Sequence, residues 1–581
     1  MAYPKITDKD FYKDINKVYS KYKISNDKKT FKDICWPDKY ELQVQQKFLP
    51  KFINPETPYK SMLLYHKIGA GKTCTAIRIT EEWKGKRDII VVVPASLIGN
   101  FRNELRSKCV IGNIYVTAEE EHKLIHLHPS SKEYKQIIKK SDDRIDKYYN
   151  ILSYNKFIDQ LQKDEIELRN CLLIIDEVQN MISEEGTYYS ILKEAMENSD
   201  DKSRFIFMSA TPMFDKPAEL ALTLNLLNPK YDLPTGRSFF KHYIDIVETS
   251  NGKYKYQAKN LDDIRQFCKG IVSHYRGAPP YTFPEKHIRI VKCKMSDLQY
   301  KAYKTVLQNE NKIETKRYGD KIKILEENAI KDLPNNFFLG SRIISNVVYP
   351  NMKINERGLE SFKGKYTTEL LEKYSIKFYK ILTRIRAAQG PVFVYSNFKE
   401  YGGIKSFQKV LEDNGFKNYL KHGEGRKRFA IWSGDESSIK REEIKAMFNR
   451  VENKDGNIIK VILGSPAIKE GVSLLRVKQV HIIEPTWNWS KMEQIIGRAV
   501  RFCSHKDLPK EEREVKVYIY VAISPNKEET TDEYILNLAI QKKNLISKFE
   551  LALKESAVDC SLFKNANYYP NVDEEEIKCV L

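Results

Sequence analysis

Residues 61–79 read SMLLYHKIGAGKTCTAIRI. An apolar run, Met62 to Tyr65, leads into a glycine-rich turn, and an apolar pattern of helical period follows. Strand, loop and helix in that order are what a phosphate loop needs. Gly69 and Gly71, with Ala70 between them, let backbone N–H groups turn inward around phosphate oxygens. Lys72 would then reach the β- and γ-phosphates, and Thr73 would hold Mg²⁺. The full motif has a glycine where His66 stands, so the reading rests on GAGKT and its flanks. The bland alternative is a glycine-rich turn with no ligand.

A phosphate loop needs a second strand that carries acids. Residues 171–180, CLLIIDEVQN, supply it: the apolar run predicts a buried strand. Asp176 at its end would coordinate Mg²⁺ through water, and Glu177 would orient and deprotonate the attacking water. Two adjacent carboxylates at the end of a buried strand are a poor choice without a cation. Gln179 has an amide that can bridge the γ-phosphate to a neighbouring loop. A third strand, RFIFM, is followed by the turn Ser209, Ala210 and Thr211. That tripeptide says little alone, and is specific only after the two preceding motifs.

Far downstream, QIIGRAVR (494–501) sets Arg498 and Arg501 three residues apart among apolar neighbours. A helix would put both on one face. Arginine is rarely buried unless something anionic meets it, and no acidic run follows nearby.

The 581 residues suffice for several domains, and the 41% hydrophobic content can build real cores. No apolar run reaches the length of a membrane span, and the charged start MAYPKITDKDFYKDINK lacks the apolar core of a signal peptide. A reducing compartment is expected. Nine scattered cysteines without paired short spacing argue against a disulfide framework and against a zinc ribbon. The stretch HKLIHLH (His122, His126, His128) has no evident Asp or Cys partner and reads as solvated histidines, and Cys503 with His505 is too isolated for a metal site. The formal charge of +20 favours a polyanionic partner, most simply nucleic acid. Because 78 acidic residues accompany it, charge only supports a case made by motifs.

With GAGKT, DEVQ, SAT and QIIGRAVR in this order, the chain resembles the superfamily 2 helicases and translocases. The resemblance implies an α/β fold: two tandem RecA-like parallel-sheet domains with ATP and Mg²⁺ as ligands, a mostly helical insertion between them and a helical C-terminal segment. GPVFVYSNF (390–398), VILGSPAIKEGVSL (461–474) and VHIIEPTWNW (480–489) look like the motifs of the second domain. In that family Gln494 lies near the γ-phosphate, and Arg498 and Arg501 act as arginine fingers. Gly471 would contact the nucleotide, while Ser209, Ala210, Thr211 and Trp487 would couple the domains. VVVPASLIGNFRNEL (91–105), MSDLQYKAY (295–303) and EPTWN (484–488) resemble the Swi/Snf-type branch, although RFCSHKD departs from its usual continuation. SATPMFDKPAELALTLNLLNP, VSHYRGAPPYTFPE (272–285), SRIISNVVYP (341–350) and ESAVDCSLF (555–563) look like ATPases of nucleocytoplasmic large DNA viruses. That group includes the small subunit of the poxvirus early transcription factor and the viral nucleoside triphosphatase I. It implies a DNA-dependent ATPase of viral early transcription, in the virion and host cytoplasm, partnered by a larger transcription-factor subunit or the viral RNA polymerase.

The expected organisation is an N-terminal extension (1–40), motor domain 1 (41–230), a helical insertion (231–385), motor domain 2 (386–525) and a C-terminal helical brace with an acidic tail (526–581). Gln46 looks like the glutamine that reads adenine; its alternative is a helix-surface residue. Ser96, the turn Ser153–Tyr154–Asn155 and Ser465 are expected on the nucleic-acid backbone, where small hydroxyl residues suit phosphate oxygens without reading sequence. An ordinary turn role remains open for each. The competing functions are a termination or elongation factor of the nucleoside triphosphatase I kind, a strand-separating RNA or DNA helicase, and a transcription scaffold switched by ATP.

Overall fold

The computed structural model describes residues 3–25, 29–67, 69–112, 114–127, 131–183, 186–228, 231–248, 254–318, 338–362, 364, 368–468 and 472–580. The chain forms two compact units. One comprises Met1–Val247, Tyr256–Pro280 and Leu545–Leu581, the other Glu248–Lys255 and Tyr281–Asn544. Among the described residues no helix is long and apolar enough to cross a membrane.

The first unit is built on β1 (Ser61–His66), β2 (Asp88–Val93), β3 (Tyr149–Ser153), β4 (Cys171–Asp176) and β5 (Arg204–Ser209). Among the described residues β6 (Ile244–Glu248) and β7 (Tyr254–Ala258) pair only with each other, and β8 (Val272–Tyr275) returns to the main sheet. The order is β3-β2-β4-β5-β1-β8, with every neighbouring pair parallel. A parallel sheet is covered on both faces, so its central strands read as continuous apolar runs. Accordingly β1, β4 and β5 are buried at every position. Asp176 on β4 pairs with Met208 on β5, so the DEVQ and SAT turns leave adjacent strand ends. Ligands of such sheets bind at these carboxyl ends.

The N-terminal stretch is more than a polar extension. Helix Phe11–Val18 buries Phe11, Tyr12 and Ile15 in the same apolar cluster as Phe48, Phe52 and Tyr59, and the Phe52 and Tyr59 rings stack at 4.1 Å. Its lysines and aspartates hide this stripe from a compositional reading. From the other end of the chain, Val558, Leu562, Phe563 and Ala566 enter that cluster beside Met62 and Leu64 of β1.

The second unit holds β9 (Glu285–Lys294), β10 (Val392–Tyr395), β11 (Lys417–Asn418), β12 (Arg428–Trp432), β13 (Val461–Gly464), β14 (Gln479–Ile482) and β15 (Glu514–Ile523). Their order is β11-β12-β13-β10-β14-β15-β9, again parallel throughout. The stretch 231–385 is therefore not simply a helical insertion. Its VSHY segment becomes β8 of the first sheet, and its EKHIRIVKCK segment runs ten residues along β15 as an edge strand. One face of β9 is partly solvated, which dilutes the apolar signal in that sequence. Helices including Asp297–Tyr318, Leu339–Asn346 and Ile376–Ala387 make up much of the remainder.

The cysteine expectation is corrected as well. Cys74 is bonded to Cys109, and Cys560 to Cys579. The half-cystines are 35 and 19 residues apart, so no short spacing announces them; in each pair the fold brings a helical cysteine to one in a non-helical segment. His505 is buried with both ring nitrogens held, by Ser504 Oγ and the Val477 carbonyl, which leaves neither for a metal. His122 and His126 sit one turn apart on helix Ala118–His126; His128 lies outside the described residues.

Candidate active site

The turn after β1 reaches its helix, Lys72–Trp83, through Gly71 at φ +70°. Glycine takes that left-handed conformation without a steric cost. A Cβ at Gly71 would lie 2.6 Å from Gln46 Nε2, so the loop also needs glycine for space. Among the described residues no side chain caps the helix, whose first N–H groups are oriented for an anion.

Gln46 is buried, which rules out the surface-glutamine alternative. Its amide nitrogen donates to the Gly71 carbonyl at 3.4 Å, and its oxygen accepts from Gln43 N at 2.8 Å. Gln45 is equally buried and donates to the Ala70 carbonyl at 2.8 Å. Nothing in the sequence separates these adjacent glutamines; both hold the loop.

Lys72 Nζ pairs with Glu177 Oε1 at 2.9 Å, and both are largely buried. The other Glu177 oxygen accepts from Gln179 Nε2 at 2.7 Å. Gln179 Oε1 accepts from Ser209 Oγ at 2.7 Å, and Ser209 Oγ accepts from Thr211 N at 2.9 Å. One chain of polar contacts thus links GAGKT, DEVQ and SAT, passing the buried Ala210. Glu177 itself is left-handed (φ 48°, ψ 51°), a strained state for a residue with a Cβ. Tyr154 supports this turn: its hydroxyl donates to the carbonyls of Asp176 (2.6 Å) and Glu177 (3.1 Å). This inward role was not legible from the SYN tripeptide.

Asp176 is buried at the end of β4, and its Oδ1 accepts from Glu177 N. A carboxylate and the Thr73 hydroxyl are hard oxygen donors of the kind Mg²⁺ takes, so the residues present fit that ion. Glu219 is a further buried carboxylate beside the SAT turn that pattern reading missed. Its carboxylate accepts from the backbone N–H groups of Phe214, Asp215 and Lys216, which orders the loop after SAT. Burial, against those hydrogen bonds, pushes its pKa up to about 7.

The expected nucleic-acid residues are placed unevenly. Ser96 is exposed after β2. Ser153 caps helix Tyr154–Gln162 through Lys156 N, and Asn155 accepts from the Tyr188 hydroxyl. Ser465 is buried, and its hydroxyl accepts from Ala467 N. Gly471 lies outside the described residues.

In the second unit the helix carrying Gln494 is Trp489–Ile496, and it stops before the arginines. Arg498 and Arg501 therefore do not share a helix face. They follow in a turn in which Leu474 N donates to the Arg498 carbonyl and Arg501 Nη2 donates to the Val472 carbonyl at 3.1 Å. Gly497 follows the last helical residue, and its N–H donates to the Glu493 carbonyl. Burial lowers the pKa of Arg501. Trp487 stacks on the Arg342 guanidinium, which also lies over Phe398, at 5.1 Å in each case. Beside it the buried Glu484 accepts from Ser396 Oγ, Asn397 N and Asn346 Nδ2, so EPTWN, SNF and SRIISNVVYP meet in one network.

A phosphate loop, an acid-bearing neighbour strand and a second parallel sheet with a glutamine–arginine turn define a superfamily 2 motor ATPase. The SNF2-related domain family matches residues 41–335, and the helicase conserved C-terminal domain matches residues 376–503. The chain is 53% identical to an Acanthamoeba polyphaga mimivirus protein named as an ATP-dependent RNA helicase, over 100% of this chain and 99% of that one. It is 25% identical to a homolog of the termination factor NPH-I in African swine fever virus, over 88% and 78%. Among solved structures it is similar to the Sulfolobus solfataricus SWI2/SNF2 ATPase core in complex with dsDNA (16% identity, 92% and 95% covered, TM-score 0.30). The chain belongs to the SNF2-related, Swi/Snf-like branch of the superfamily 2 helicases, with viral relatives, and is an ATPase of that superfamily.

Proposed function

We propose that this protein is a Mg²⁺- and ATP-driven translocase on duplex DNA that serves viral transcription in the infected cell. The observation that carries the reading is the polar chain Lys72–Glu177–Gln179–Ser209. It joins the residues that meet the phosphates to the turn that passes the nucleotide state onward. Glu177 occupies Lys72 in place of a phosphate. When ATP docks, Lys72 moves to the β- and γ-phosphates, and Glu177 is released to take a proton from the attacking water. Thr73 and Asp176 would hold Mg²⁺, which would neutralise phosphate charge. Gln46 and Gly471 bind the nucleotide. Gln494, Arg498 and Arg501 stabilise the charge on the γ-phosphate in the transition state. Trp487, clamped by Arg342, joins the SAT turn in transmitting the change to the strand grips at Ser96, Ser153, Asn155 and Ser465.

The viral relatives support action in an infected cell, and the termination-factor homology favours a termination role over that of an initiation subunit. The partner is then the viral RNA polymerase or a larger transcription-factor subunit. A second reading, an RNA-directed helicase, rests on the name of the 53% identical relative. ATPase rates of the full chain with duplex DNA, with RNA and with neither separate the two. Stimulation by duplex DNA with weak unwinding of a forked duplex is expected. Stimulation by RNA alone, or robust unwinding, would establish the helicase reading instead.

A further inference from the structure

The phosphate loop is bounded by more than its own strand and helix. On the side away from β5, β1 pairs with β8, with His66 opposite Tyr275 and Lys67 N donating to the Tyr275 carbonyl at 3.0 Å. Among the described residues β8 has no further strand beyond it. Its outer edge is taken by the C-terminal part of the chain. Val558 N donates to the Val272 carbonyl at 2.8 Å, and Asn567 Nδ2 donates to the His274 carbonyl at 2.9 Å.

Three side-chain routes run from this segment to the loop. Glu550 pairs with Lys67 at 3.6 Å, directly after β1. The buried Asp559 carboxylate accepts from His274 N and from Ser273 Oγ, and Ser273 Oγ bonds to Nε2 of His66 at 3.0 Å. His66 stands where the common phosphate-loop motif has its first glycine, so an imidazole held from behind fixes the start of the turn. Asn567 Oδ1 accepts from Arg276 N, and Asp573 pairs with the Arg276 guanidinium. The next residue, Gly277 (φ +97°), lies so close to the loop that a Cβ there would sit 3.1 Å from Ala70 Cα.

We infer that the C-terminal segment, through Glu550, Asp559 and Asn567, positions the phosphate loop and so sets its affinity for nucleotide. None of the three touches the nucleotide; they are positioning residues, and the inference rests on the ATP-site reading above. The brace acts on Lys67, His66 and the back of Ala70, whereas Lys72 and Thr73 lie on the helix beyond. Losing the brace therefore weakens nucleotide binding more than it slows turnover of bound ATP.

The test uses the full-length chain, an ADP carrying a fluorescent label on its ribose, steady-state ATP hydrolysis and thermal melting. Asp559→Ala removes an acceptor of two hydrogen bonds, and Asp559→Asn retains the shape and one acceptor. With a displaced loop, Asp559→Ala raises the ADP Kd and the ATP KM about tenfold, with kcat within about twofold of wild type. Asp559→Asn restores most of the affinity. Glu550→Ala gives a smaller rise, about two- to fivefold, because its ion pair is partly solvated. Wild-type Kd and KM in both alanine variants, with wild-type melting, overturns the inference. If Asp559→Ala does not fold, Glu550→Ala, in a partly buried ion pair, decides alone. Lys72→Ala is run alongside. If it binds ADP as wild type does, the ATP-site reading falls and this inference with it. If Lys72→Ala loses ADP while the brace variants keep it, only the brace inference falls.

Discussion

At the scale of single residues, the candidate site is a set of ion pairs and hydrogen bonds that links GAGKT, DEVQ and SAT. Lys72 and Glu177 neutralise each other, so each is best tested by removing its charge. Lys72→Ala should abolish turnover in a phosphate-release assay. Glu177→Gln should still bind ATP yet hydrolyse it at least about 100-fold more slowly, since a general base contributes that much; undiminished turnover would remove its assignment as the base. Arg498→Ala or Arg501→Ala should lower kcat on the order of 10³-fold with only a modest change in nucleotide affinity. Lysine should rescue neither, because the planar fork is what matches phosphate oxygens. Near-normal turnover in both would return them to a structural role, such as the hold of Arg501 on the Val472 carbonyl. These residues stand out in the sequence because the chemistry proposed for them demands fixed types at fixed spacing. Gln45, Glu219 and the inward hydroxyl of Tyr154 do not, since each acts on backbone groups whose direction depends on the folded turn.

Elements carry the next level of control. The left-handed turn at Glu177 follows β4, and the hydroxyl of Tyr154, from the helix that precedes β4, holds its carbonyls. Tyr154→Phe should cost about 1 kcal/mol of stability, one ordinary hydrogen bond, and lower kcat by misplacing Glu177; unchanged kcat would show that the turn holds itself. The Cys74–Cys109 bond ties the phosphate-loop helix to the segment after helix Ile98–Leu105. For a closed loop of that length the unfolded chain is restrained by about 3–4 kcal/mol. Reduction should therefore lower the melting temperature of the first unit, and a thiol count should rise in step. Asp559 gives a pH signature. Burial, opposed by its hydrogen bonds from Ser273 and His274, pushes its pKa up to about 7 in the folded protein, from 3.8. A raised carboxyl pKa makes its contribution complete below the unfolded value and lost as pH rises through the folded one. Melting of the wild type relative to Asp559→Asn should fall between about pH 4 and pH 7 and level off above. A difference that does not vary with pH would mean that Asp559 is ionised throughout.

For the whole molecule, the charge of +20 agrees with a nucleic-acid track. Contacts to phosphates release counterions, so binding to duplex DNA should weaken linearly in log–log salt titration, with a slope of about −0.9 per phosphate contact. A flat salt response would argue against a backbone-tracking motor. The sequence by itself determined the class of this protein. The order of GAGKT, DEVQ, SAT and QIIGRAVR carried the resemblance to superfamily 2 motors, and that resemblance implied the two parallel sheets that the structure contains. Local period, glycine placement and charge are properties of short stretches, so they survive reading in one dimension. The tertiary structure decided what depends on distant partners. It split 231–385 between two sheets as β8 and β9, and ended the motif helix at Ile496, before the arginines. It paired cysteines 35 and 19 residues apart. It also brought Asp559 to Ser273, 286 residues away, behind the phosphate loop. Such contacts are fixed by which faces pack, and no short window of sequence contains both partners.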